Sequence, residues 1–340
     1  MPALRYVDDS LPGYNRKRSG RYWKYFDSDG NRITDRDEID RLNAIGMPPA
    51  YVRCWFCPYP NGHIQGIGYD ARGRRQYRYH PDFRARQEGL KFERLADFGK
   101  KLPKLRKQVE ADMKGKPTSC EAVIAAVVRL IDSTQMRIGN ESYAKENKSF
   151  GATTLRNRHA KVGRSALKIS YTGKHGIKRT VTVTDRNLVR IARKTQDLPG
   201  QNLFEFCDED GCTRPVTSSD VNEYIKAAMG EEFTAKDFRT WGASAIAFEE
   251  MMKRAKETGR VRLNSVIEPV AEALGNTAAI SRKSYVHPAL IEAAREAGAI
   301  GERELPRATK YLSSAERGLI EFLRALPKTR KRVASKRTDS

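Results

Sequence analysis

Near residue 83 the hydrophobic periodicity of the chain changes, and the two textures cannot belong to one kind of structure. From Tyr22 to Tyr79, short aromatic or β-branched runs alternate with turn signals: Asp27-Ser28-Asp29-Gly30, Pro48-Pro49, Asn61-Gly62 and Arg72-Gly73. Punctuation this dense leaves room only for short strands and hairpins. After Phe83 come long stretches rich in Lys, Arg, Glu, Ala and Leu, with apolar residues at helical spacing. The boundary is expected near residue 88, so that residues 1–88 form a small β-rich domain and 89–326 a larger, mainly helical one. Residues 327–340 are mostly Lys, Arg, Ser and Thr and read as a disordered basic tail. A chain of 340 residues is long enough for two cores.

Within the second part, Thr118-x-x-Glu121 predicts a capping box opening a helix, whose Val123, Ile124, Val127, Val128 and Ile131 make one apolar stripe. Residues 166–184 interrupt the helical texture. Leu167, Ile169 and Tyr171 alternate, Gly173 to Gly176 turn, and Val181 and Val183 alternate again, which predicts a hairpin with Lys174 at its tip. Helices are expected again at 218–229, 235–253, 265–274, 277–286 and 313–326. The fold class is therefore α+β.

Composition limits the partner. The sequence carries 64 basic against 42 acidic residues, a net charge of +22, which covers the surface with positive potential and calls for a polyanion. No run of about 18 apolar residues exists to span a membrane, and the first thirty residues lack the apolar core of a secretion signal. A soluble, cytoplasmic protein is expected. Cys54 and Cys57 form the only CxxC, with no second pair to complete a zinc site, and read as reduced thiols. There is no phosphate-binding G-x-x-x-x-G-K-[ST] loop and no H-E-x-x-H, and Asp208-Glu209-Asp210-Gly211 reads as a solvated turn. Chemistry on nucleic acid by this chain is expected to use neither nucleotide, metal nor other cofactor.

Metal-free phosphoryl transfer needs a nucleophile, fixed cations or neutral donors on the non-bridging oxygens, and a proton donor for the leaving hydroxyl. Arginine suits the clamp because its planar fork holds two oxygens and stays charged; lysine suits the proton donor. A tyrosine, with a pKa of about 10 when free, becomes a useful nucleophile where nearby cations favour its phenolate.

Four segments supply such a set in order: Gln135-Met136-Arg137-Ile138-Gly139-Asn140-Glu141; Tyr171-Thr172-Gly173-Lys174-His175-Gly176; Lys236-Asp237-Phe238-Arg239-Thr240-Trp241-Gly242; and Leu274-Gly275-Asn276-Thr277 followed by Ser281-Arg282-Lys283-Ser284-Tyr285-Val286-His287-Pro288. Together they resemble the catalytic segments of the poxvirus-like bacterial type IB DNA topoisomerases. Gly62-His63-Ile64-Gln65 and Gly73-Arg74-Arg75-Gln76-Tyr77-Arg78-Tyr79-His80 resemble that family's amino-terminal segments. The resemblance implies two domains clamping duplex DNA, with Tyr285 attacking the scissile phosphate, Arg137 and Arg239 clamping the transition state, and Lys174 protonating the departing 5′-hydroxyl. A 3′-phosphotyrosyl enzyme would result, and reversal of the cut would need no ATP. One position departs from the wider superfamily: nine residues before the nucleophile a histidine is common, and here stands Asn276. Asparagine can donate a hydrogen bond to a phosphate oxygen but supplies neither proton nor charge.

Each of these residues has a plainer reading. Tyr285 alone would be a helix-end aromatic, Arg239 a surface arginine, Lys174 a solvated hairpin lysine, and Asn276 a helix N-cap. Tyr143 and Lys236 are candidate DNA contacts, Tyr143 being equally suited to a core position. Arg75, Tyr77 and Tyr79 would lie against duplex DNA or form the solvated face of an edge strand. A tyrosine recombinase is the nearest rival function, but recombinases present His-x-x-Arg where this chain has Lys236-x-x-Arg239. A DNA-binding protein with a lapsed catalytic set is the other. Action as a monomer on nucleoid DNA is expected.

Overall fold

The computed structural model describes residues 3–208, 210–230, 232–296 and 304–327. The expected basic tail lies, from residue 328 onward, outside the described residues. The chain divides into two compact units, one ending at Lys91 and the other beginning at Phe92.

The first unit is β-rich. Strands β1 (Asn15–Ser19) and β2 (Tyr22–Phe26) form a hairpin. Helix α1 (Arg36–Ala44) follows, then the antiparallel meander β3 (Val52–Phe56), β4 (Ile64–Tyr69) and β5 (Arg75–Tyr79), and α2 (Pro81–Glu93) carries the chain across the division. Helix α1 corrects the reading of this region as strands and hairpins alone. The Asp35 carboxylate accepts the Asp37 N–H at 3.2 Å, and the helix buries Leu42 beside Tyr25, Met47 and Phe56. Only two and a half turns long, it buries one residue fully, so its periodicity is too brief to stand out in the sequence.

The second unit is mainly helical. Its core is α4 (Cys120–Thr134), preceded by α3 (Leu95–Asp112); α4 is buried almost continuously from Ala122 to Ile131. Ser119, not Thr118, caps α4, its hydroxyl accepting the Ala122 N–H at 3.3 Å. After the short α5 (Glu141–Asn147) comes an antiparallel sheet, β6 (Ala160–Val162), β7 (Leu167–Thr172) and β8 (Lys178–Val183), in which β7 and β8 are the expected hairpin. Next are α6 (Arg186–Gln196) and a small hairpin of β9 (Glu205–Cys207) and β10 (Thr213–Pro215). In the turn of that hairpin the Asp208 carbonyl accepts the Gly211 N–H at 3.1 Å, and the Asp208 carboxylate pairs with Arg214 at 2.6 Å. The remaining helices are α7 (Ser218–Met229), α8 (Ala235–Thr258), α9 (Leu263–Leu274), α10 (Ala278–Ser284), α11 (Pro288–Arg295) and α12 (Ser314–Ala325). Among the described residues no helix is long and apolar enough to cross a membrane.

Two features fix α8, which carries the third motif. Arg106 on α3 pairs with Asp132 on α4 and Glu316 on α12, each at 2.8 Å, and Glu316 also accepts the Trp241 indole N–H at 3.0 Å. Gly99 lets α3 come close enough to α8 for the Trp241 ring to occupy the space of a side chain: a methyl at residue 99 would lie 2.2 Å from Trp241 Cη2 and 2.9 Å from Ile320 Cγ1. Gly99→Ala is expected to cost about 1–3 kcal/mol through overpacking, despite alanine's better helix propensity. The measurement is a lowered urea midpoint with an unchanged slope; an unchanged midpoint would show that the two helices are free to separate.

Candidate active site

The end of α9 organises the site. Gly275 takes φ +59°, the left-handed conformation that ends a helix, and its N–H closes on the carbonyls of Ala271 and Glu272. The carbonyls of Ala273 and Leu274 then have no acceptor role inside the helix. Arginines from two other elements take them: Arg179 of β8 donates from Nη2 to Ala273 O at 2.7 Å, and Arg239 of α8 donates from Nη2 to Leu274 O at 3.1 Å. One residue past the turn, Asn276 Oδ1 accepts from Arg137 Nη2 at 3.1 Å.

Arg239 is not the surface arginine that its position alone would predict. It is 5% exposed, on the packed face of α8, and also donates from Nη1 to the carbonyl of Gln135. Gln135 itself caps α4 with φ 56°, and its carboxamide fills the space beside Gly242, where a Cβ would lie 2.2 Å from it. Burial, and then the nearby Arg137, lower Arg239 to about 10, leaving it cationic at neutral pH. Arg137 lies in the segment between α4 and α5. Its carbonyl accepts the Ala152 N–H at 2.9 Å, and Gly151 lets the two backbones approach, since a Cβ there would lie 2.5 Å from that carbonyl.

Tyr285 ends α10, half-buried, with the Arg239 guanidinium 5.0 Å from its ring centroid. Burial pushes its phenol up, but Arg239 and then Arg137 outweigh burial through charge and hydrogen bonding, so the net shift is downward. Its backbone is held by α8: the Ser244 hydroxyl donates to Tyr285 O at 3.4 Å and accepts the His287 N–H at 3.0 Å. His287 is structural, capping α11 through Nδ1 to the Ala289 N–H at 3.1 Å, and burial pushes it down to about 4, so it stays neutral.

Asn276 is not the N-cap that Gly275-Asn276-Thr277 offered as its plainer reading. Thr277 caps α10, its hydroxyl accepting the Ile280 N–H at 3.3 Å. The Asn276 side chain instead holds Arg137 through Oδ1, and its buried Nδ2 has no hydrogen-bond partner among the described residues. Lys174 stands exposed in the turn between β7 and β8, where His175 takes φ 65°, and lines one cleft with Arg137, Arg179, Arg239 and Tyr171. Arg137, Lys174, Arg239, Asn276 and Tyr285 are thus gathered within the second unit.

Lys236 is exposed on the first turn of α8, and Tyr143, 46% exposed on α5, is not a core residue. In the first unit, Arg75, Tyr77 and Tyr79 share the outward face of β5. The two tyrosine rings stack at 5.8 Å, and the Arg75 guanidinium lies 5.2 Å from the Tyr77 centroid. Sequence reasoning missed Arg179. The only trace of it was a charged residue in register with the apolar face of β8, opposite Tyr171.

Residues 80–312 match the model of the eukaryotic DNA topoisomerase I catalytic core, and residues 22–70 that of the bacterial DNA topoisomerase IB N-terminal domain. The class is therefore that of the DNA topoisomerases. DNA topoisomerase 1B of Acanthamoeba polyphaga mimivirus is 33% identical over 287 residues, which cover 81% of this chain and 85% of the relative. DNA topoisomerase 1B of vaccinia virus (strain Copenhagen) is 24% identical over 239 residues, covering 68% and 72%. This chain belongs to the type IB DNA topoisomerase family. Among solved structures, XerH site-specific recombinase bound to palindromic difH substrate aligns over 59% of this chain and 51% of its own, with TM-score 0.37 and 20% identity, too distant a likeness to bear on function.

Proposed function

We propose that this topoisomerase relaxes positive and negative supercoils in duplex DNA by cutting one strand through Tyr285, letting the free end rotate, and resealing it, without ATP or a required metal. The observation that carries this reading is the convergence of Arg239 and Arg137 beside the Tyr285 phenol, whose pKa they lower. Tyr285 Oη forms the bond to phosphorus while the bond to O5′ breaks, leaving a 3′-phosphotyrosyl link. Arg137 and Arg239 bind the non-bridging oxygens as charge develops, and Lys174 hands its proton to the leaving O5′. The Asn276 Nδ2, buried and unpartnered, is suited to donate to one of those oxygens. The protein would act as a monomer on nucleoid DNA, with phosphate contacts from both units, including Lys236, Tyr143, Arg75, Tyr77 and Tyr79.

The test is relaxation of positively and negatively supercoiled plasmid in EDTA without ATP, with denaturant added mid-reaction to trap protein on the 3′ end of the nick. Both substrates should relax. Protein trapped on the 5′ end, or a requirement for metal, would overturn the mechanism.

Asn276 and its neighbour separate chemistry from stability. Asn276→Ala is expected to slow cleavage about 100-fold, as loss of one neutral donor does, while leaving the urea midpoint nearly unchanged. Thr277→Ala should instead cost about 1 kcal/mol of stability through loss of the cap. If Asn276→Ala destabilised the fold and left the rate alone, the donor role would be wrong.

A further inference from the structure

Arg179 lies outside the set that the motifs supplied, yet it is the residue through which β8 reaches α9. Lys174 sits in a turn whose own hydrogen bonds are local: Gly173 N–H to Ile177 O at 2.8 Å and Gly176 N–H to Gly173 O at 3.2 Å. Among the described residues, two hydrogen bonds tie this end of the hairpin to the surrounding structure. On β7, Thr172 O accepts the Phe150 N–H at 2.8 Å; on β8, Arg179 donates to Ala273 O at 2.7 Å. The first reaches the loop after α5. The second reaches the last turn of α9, beside the carbonyl that holds Arg239 and three residues before Asn276.

The fit of Arg179 is specific to a long planar cation. Its Nη1 occupies the space over Gly275, where a Cβ would lie 2.1 Å away, and its charge sits at a helix C-terminus, where the helix dipole favours cations. The antiparallel register sets Arg179 opposite Tyr171, on the inward face of the hairpin, while Lys174 projects from the turn.

We infer that Arg179 is a positioning residue for the leaving-group acid: it fastens the β7–β8 hairpin to the end of α9 and so sets where Lys174 stands relative to Asn276, Arg239 and Tyr285. The inference rests on Lys174 being that acid. In cleavage, Tyr285 Oη loses its proton to solvent water and bonds to phosphorus, the P–O5′ bond breaks, and O5′ leaves with the Lys174 proton. If sulfur replaces O5′, the P–S bond breaks and the thiolate departs unprotonated, because a thiol has a pKa of about 8.5. A defect confined to proton delivery disappears on such a substrate; a defect in phosphate binding or folding does not.

The experiment is single-turnover cleavage of a duplex oligonucleotide carrying either oxygen or sulfur at a scissile position first mapped with the intact enzyme. Lys174→Ala should cleave the oxygen substrate about 100-fold or more slowly and the sulfur substrate at the intact rate. Arg179→Ala should follow the same pattern, with a loss of about 10- to 100-fold on oxygen, the scale of a misplaced group. Arg179→Lys, which retains a donor and the charge, should show a smaller loss, also restored by sulfur; if the alanine variant does not fold, this variant carries the comparison. Should Lys174→Ala be restored while the Arg179 variants stay slow on both substrates, Arg179 binds phosphate or supports the fold, and the inference is wrong. Arg179 variants that cleave the oxygen substrate at the intact rate overturn it equally. If Lys174→Ala is not restored, the acid assignment itself has failed.

Discussion

Tyr285→Phe is expected to abolish strand cleavage, lowering relaxation to less than about 10⁻⁴ of the intact rate, the scale of losing a nucleophile. The substitution keeps the ring beside the Arg239 guanidinium, 5.0 Å from its centroid, and removes only the oxygen. DNA binding should therefore stay within about threefold, since phosphate contacts dominate affinity. No covalent complex should be trapped by denaturant. Relaxation by the Tyr285→Phe variant would remove Tyr285 as the nucleophile. The intact enzyme also carries a pH signature. Arg239 and Arg137 bring the Tyr285 phenol below the ordinary tyrosine value of about 10 in spite of its burial. Because the phenolate is the reactive form, the rate of cleavage should rise with pH and level off below about 10. Arg137→Ala should move that rise to higher pH. A rise centred at or above the ordinary value in the intact enzyme would show that the two arginines do not activate the phenol.

Removing Arg239 is expected to have the second largest effect, because its guanidinium serves two ends. One is the phosphate, where loss of a bidentate cation should slow cleavage about 10³-fold or more. The other is the fold. Arg239 satisfies the carbonyls of Gln135 and Leu274, which end α4 and α9, and alanine would leave both buried and unpaired. Arg239→Ala should therefore also lower stability by about 2–4 kcal/mol. Arg239→Lys keeps the charge without the fork, so it should recover part of the stability and remain about 100-fold slow. Urea unfolding and single-turnover cleavage on the same preparations separate the two effects. An alanine variant cleaving within tenfold of the intact enzyme would remove Arg239 from the clamp.

Features that are local, or ordered along the chain, can be read without coordinates. The β7–β8 hairpin was legible because a period of two residues, broken by Gly173 and Gly176, has no helical counterpart. Helix α7 was legible to its ends because Thr217 and Gly230 bound it. The family resemblance rested on motif order, which needs no coordinates. Features that depend on partners far away along the chain emerge only once it has folded. Arg239 looked like a surface residue because the carbonyls that make its burial tolerable lie 104 and 35 residues away. Asn276 and Thr277 are both good caps by residue type, and only the geometry of α10 gave that place to Thr277 and left Asn276 with Arg137. Arg179 stayed hidden for the same reason: its acceptor is 94 residues away, on a helix whose terminal carbonyls exist as free acceptors only once Gly275 has turned the chain.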